Sequence, residues 1–159
     1  MIVLDTNVIS YLMRRDPHVT RWLGTVPPAE LRTTSITRAE IFAGLESLPD
    51  GRRRTDLLAR AERSFTSPLG QGLPFDDPAA DHYAHILTKR RRLGKPMSHE
   101  DCQIAAITLS RGARLATRNT KDFDDCGLEV INPFATSRQG DVMPGALRSP
   151  PPRSRPTRH

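Results

Sequence analysis

The chain has 159 residues, 36% of them hydrophobic and 26% charged, enough for one domain with a real core. It has no run of eighteen or more apolar residues and no basic-then-apolar leader, which predicts a soluble, cytoplasmic protein with no membrane role. Its net charge of +6 is uneven: residues 135–159 hold five arginines against Asp141, so most of the excess lies in that segment. Such a balance permits a polyanionic partner without establishing one. The two cysteines, Cys102 and Cys126, cannot build a disulfide framework, and they lack the CxxC spacing or histidine cluster of a zinc site.

In chain order, Ile2-Val3-Leu4 predicts a strand. Apolar side chains at consecutive positions suit a strand covered on both faces, at the centre of a parallel sheet. Asp5 falls at its carboxyl end, where ligand sites of such sheets lie. Thr6 or Asn7 is then the expected cap of a helix over Val8–Met13. A short helix is expected from His18 to Leu23, a strand over Leu31–Ser35, and a helix from Thr37 to Leu48. Arg52–Ser67 reads as an amphipathic helix whose Leu57, Leu58, Ala61 and Phe65 form the apolar stripe. Its arginines are a solvated face or, less simply, an RNA-facing one. Leu73-Pro74-Phe75 is a short extended piece, and Asp77 is the expected cap of a helix running to Arg92. Asp81, His82 and His85 share one turn of that helix but have no evident fourth metal ligand.

Ser98–Arg111 predicts a further helix ended by Gly112. Strands are expected at Arg114–Thr117 and Glu129–Asn132, with a polar loop between them. This alternation points to an α/β fold, a three-layer parallel sheet flanked by helices. Residues 1–134 form the expected domain. Residues 135–159, rich in Pro and Arg, read as a disordered tail.

Acidic side chains recur where such a sheet would gather them: Asp5, Glu40, Asp101 and Asp122, the last in the oxygen-rich loop Thr117–Asp125. Two have a plain alternative, because Thr37-x-x-Glu40 and Ser98-x-x-Asp101 both match the capping box. Capping does not account for Asp5 or for four acids along one sheet edge. Converging carboxylates repel, and a hard divalent cation relieves the repulsion. Oxygen-only donors select Mg2+, or Mn2+, over zinc. A cation in such a set can activate water against a phosphodiester.

The segments Ile2–Ser10, Arg38–Leu45, Asp101–Ala106 and Ala116–Phe123 closely resemble those of PIN-domain ribonucleases. Within that superfamily the chain is similar to VapC-type toxins of bacterial toxin–antitoxin pairs, including those that end in a Val-Ile-Asn-Pro-aromatic motif, here Val130–Phe134. The resemblance covers residues 1 to about 134 in order. It implies a PIN-like fold, Mg2+-dependent endoribonuclease activity on RNA, a homodimer and inhibition by a small antitoxin. It also implies Asp5, Glu40 and Asp101 as catalytic metal ligands. Some relatives carry an acid where this chain has Asn119 and others one where it has Asp122; Asp122 is taken as the fourth acid, supported by Asn119, and Thr6 is expected to orient Asp5 or a metal-bound water. His99-Glu100 replaces residues that are commonly small in the family. Two other functions fit parts of the pattern: an aspartate-dependent phosphatase, which normally wants an acid at Asn7, and a non-catalytic RNA-binding module whose acids only cap helices.

Overall fold

The computed structural model describes residues 1–66 and 72–135. The Pro/Arg-rich segment expected to be disordered lies, apart from Ala135, outside the described residues. Four strands, β1 (Ile2–Leu4), β2 (Leu31–Arg32), β3 (Arg114–Ala116) and β4 (Val130–Ile131), form one sheet in the order β2-β1-β3-β4. Every pairing is parallel. Leu4 lies opposite Ala116, so the residues that follow them, Asp5 and Thr117, emerge side by side.

The three apolar residues of β1 serve two cores, because successive side chains point to opposite faces. Ile2 and Leu4 join Val8, Ile9, Ile41, Leu45 and Phe65 on one face, with α1 (Thr6–Met13), α2 (Pro17–Leu23), α3 (Ser35–Glu46) and α4 (Arg52–Thr66). Val3 and Leu115 join Ile86, Cys102, Ile104 and Phe123 on the other, under α5 (Asp77–Arg92) and α6 (His99–Ser110). The result is the expected three-layer architecture. Both cysteines are free and buried. Burial pushes the Cys102 thiol up to about 11 and raises that of Cys126, so both stay protonated at neutral pH.

Four boundaries differ from expectation, each for a local reason. Asp5, not Thr6 or Asn7, caps α1, its carboxylate accepting from the Thr6 N–H. Asp76, not Asp77, caps α5 by accepting from the Ala79 N–H. Strand β2 stops at Arg32 because Thr33 and Ser35 turn their backbone bonds to Leu73 of the Leu73–Phe75 piece. Helix α3 begins at Ser35, capped by Thr34, whose hydroxyl accepts from the Thr37 N–H. Thr37 is therefore inside the helix, and Glu40 lies one turn too far along to close a capping box. At α6 the Ser98 hydroxyl does accept from the Asp101 N–H, as the capping reading of that pair expects.

Leu4 is fully buried at the centre of the sheet. We expect Leu4→Ala to cost about 2–5 kcal/mol, read as a lower urea midpoint at unchanged m-value.

Candidate active site

The carboxyl ends of β1 and β3 and the N-terminal portions of α1, α3 and α6 surround an open cavity of about 350 Å3. Asp5, Thr6, Asn7, Glu40, Asp101 and Asn119 line it, together with Ser10, Tyr11 and Arg14. Three of the four sequence-derived acids thus share one space. Asp122 does not line it. It sits on the exposed 3-10 turn Thr120–Phe123, near enough that its charge raises the proton affinity of Asp101.

Asp5 is 3% exposed and held from three sides. Its Oδ1 accepts from the Thr6 N–H at 2.7 Å. Its Oδ2 accepts from Asn7 Nδ2 at 2.6 Å and from the Thr117 hydroxyl at 2.7 Å. The fully buried Thr117 oxygen in turn accepts from Asn7 Nδ2 at 2.9 Å and from the Asn119 N–H at 3.1 Å. Asn7 Oδ1 accepts from the Arg118 N–H at 3.1 Å, which fixes the orientation of its amide. Glu40 is oriented from across the cavity, its Oε2 accepting from the Thr6 hydroxyl at 2.6 Å.

The charges work against one another. Burial raises the Asp5 carboxyl to about 6, with the Asp101 and Glu40 charges adding to it, despite the lowering effect of the Thr117 and Thr6 donors. Burial also raises Glu40, and Asp101 and Glu100 push it further. Asp101 is raised by burial and then by Asp122 and Glu100. Glu100, the departure from the family pattern, therefore adds negative potential to two of the three acids.

Among the described residues no three His, Cys, Asp or Glu side chains are gathered closely enough to grip an ion as they stand, the Asp81, His82 and His85 turn included. The donor set around the cavity is nonetheless all oxygen and rich in unneutralised carboxylate, the chemistry a hard divalent cation requires. Asp5 is already oriented. Glu40 and Asp101 are both only half-buried.

A second, larger groove of about 910 Å3 runs from this cavity between α1, α3 and α4, and the two share Thr6, Ser10, Arg14 and Glu40. Met13, Ile41, Leu45, Leu48 and Leu57 form its apolar lining, and Arg52, Arg53 and Arg60 stand around it.

Thr117 and Asn7 are not among the site residues expected from the sequence, where Asn7 reads only as a helix cap. Their importance follows from strand register, which sets the residue after β3 beside the residue after β1.

Residues 2–127 match the family model described as the PIN domain. The chain belongs to the PIN-domain family. It is 39% identical over 137 residues to VapC ribonuclease Y4jK of Sinorhizobium fredii, covering 84% of this chain and 98% of that protein. It is 37% identical over 138 residues to toxin FitB of Neisseria gonorrhoeae, covering 84% of this chain and 99% of that one. The crystal structure of FitAcB from Neisseria gonorrhoeae contains a chain that superposes with a TM-score of 0.78 at 34% identity, over 86% of this chain and all of that one. A chain in the structure of FitAB bound to an IR36 DNA fragment superposes with a TM-score of 0.79, over 88% of this PIN-domain chain. Among PIN-domain proteins, this chain is thus of the VapC type.

The raised acids carry a defined pH signature. Asp5 binds a proton more tightly folded than unfolded, so the folded state holds more protons between about pH 4 and 6. Its contribution to stability is therefore complete below pH 4 and lost as pH rises through 6, by about 3 kcal/mol. We expect metal-free protein to show this fall by urea unfolding at pH 4–8, and Asp5→Asn to remove that component of it.

Proposed function

We propose that the chain is a metal-dependent endoribonuclease, the toxin of a toxin–antitoxin pair, with Asp5, Glu40 and Asp101 as its ion-holding residues. The observation that carries this reading is the shared cavity of three carboxylates whose proton affinities are all raised by burial and by neighbouring charge. Such a cavity is unfavourable by itself and favourable around a cation. Relatives named as ribonucleases support RNA as the substrate class, and the displacement of Glu40 from its capping position frees that acid for the site.

A Mg2+ or Mn2+ ion bound there would supply Lewis acidity to an attacking water and to the phosphoryl oxygens. In the hydrolysis, the water oxygen bonds to phosphorus as the bond to the leaving ribose oxygen breaks. The chain's own residues set the geometry. Thr117, Asn7 and the Thr6 N–H orient Asp5 at the cavity wall. The Thr6 hydroxyl aims Glu40, and Asn119 forms part of the wall.

The antitoxin belongs to the same proposal. The apolar groove leading into the acid cavity suits an amphipathic segment whose end would block the carboxylates. The related FitAcB and FitAB structures support an antitoxin as the partner.

We expect RNA cleavage to require Mg2+ or Mn2+ and to stop with chelator, and Asp5→Asn to lower the rate at least about 100-fold while the protein remains folded. Mg2+ should raise the melting temperature of wild type more at pH 8 than at pH 5, because protons compete for the same oxygens, and should do little for Asp5→Asn. Wild-type cleavage rates in the presence of chelator, or in Asp5→Asn, would overturn the metal-site assignment.

A further inference from the structure

The Val130–Phe134 motif has no part in the acid cavity, yet the structure gives it one next to it. Asn132 closes a turn, its Oδ1 accepting from the Phe134 N–H at 2.9 Å and its carbonyl from the Ala135 N–H at 3.1 Å. With Pro133 buried between them, the turn folds Phe134 back onto α1, where its ring meets Tyr11 edge-on at a centroid distance of 4.8 Å. The Arg118 guanidinium lies over both rings, 5.2 Å from that of Tyr11 and 5.4 Å from that of Phe134, and donates to the Tyr11 hydroxyl.

Arg118 stands between Thr117 and Asn119, and its own N–H is held by Asn7. Backbone and side chain are therefore both tied to residues of the cavity wall, since Tyr11 lines the cavity too. The side chain is exposed, and among the described residues no carboxylate pairs with it, although acids crowd the adjacent space. An arginine free to move would collapse onto those acids. Two aromatic faces and a phenol hold this one off them while leaving guanidinium donors open to solvent.

We propose that Arg118 is a substrate-contacting residue that binds a phosphate of the RNA strand next to the scissile one, on a mount built by Tyr11 and Phe134. This rests on the ribonuclease reading above. A polyanion entering a cavity of raised carboxylates needs a fixed cation at the entrance, and a planar fork of N–H donors suits phosphate oxygens.

The test is binding of a fluorescein-labelled pool of random single-stranded RNA to the full chain in chelator, followed over a range of salt concentrations. Arg118→Ala and Arg118→Gln should weaken binding about tenfold. They should also reduce the log–log salt slope by about 0.7, the loss of one phosphate contact. Arg118→Lys should keep most of the slope. Phe134→Ala, which keeps the charge and loosens its mount, should weaken binding by a smaller factor with the slope retained. A wild-type slope in Arg118→Ala, with only a lower melting temperature, would reduce Arg118 to a staple between Phe134 and α1 and overturn the inference. If wild type cleaves RNA while Arg118→Ala binds like it, only this inference fails. If wild type neither binds nor cleaves RNA, the ribonuclease reading fails with it.

Discussion

Asp5 is a carboxylate placed where water scarcely reaches it, at the end of the central strand, and much of the site is arranged around that fact. A buried carboxylate is tolerated only when its oxygens are met by donors, and here a backbone N–H, a side-chain amide and a hydroxyl meet them. These donors come from two separate places, the first turn of α1 and the residue after β3, and the Asn119 N–H of the loop beyond in turn holds Thr117. Satisfying Asp5 therefore ties the sheet edge, the first helix and the Thr117–Asn119 loop into one rigid wall. Rigidity at that point is what a site of this kind needs, because a carboxylate that can swing cannot hold an ion or a substrate in register.

Beyond that wall the surface carries opposed chemistries within a short reach. The cavity is acidic, with each carboxyl raising the next; the adjoining groove is apolar within and surrounded by arginines. Acidic, apolar and basic side chains thus lie side by side on one surface. Of the basic groups, Arg54 is tied to Asp50 and Glu46, while Arg118 is stacked on rings.

Much of this was legible in the residue order. The β1 run announced a strand buried on both faces, and its division between the two cores follows directly from strand periodicity. The placement of Asp5 at a carboxyl end, the αβ alternation and the amphipathic stripe of α4 were local patterns, and local patterns survive folding when hydrophobic periodicity is strong. The cap positions were misjudged at α1, α3 and α5 because several residues able to cap stand next to one another there. At Asp76–Asp77 and at Thr34–Thr37 only the backbone path decides which side chain reaches the free N–H groups.

The residue order alone therefore determined which side chains are acidic, which stretches are buried and in what sequence the elements follow. It did not determine that Thr117 and Asn7 would hold Asp5, that Glu40 would turn to Thr6, or that Phe134 would come to rest on Tyr11 and Arg118. Apart from the Asn7–Asp5 bond and the Arg118–Phe134 contact, these join residues 34 to more than 100 positions apart. The Thr117 bonds to Asp5 and Asn7 arise only once β1 and β3 pair in a particular register, and the others only once helices and turns have packed on the assembled sheet, which no local stretch of the chain encodes.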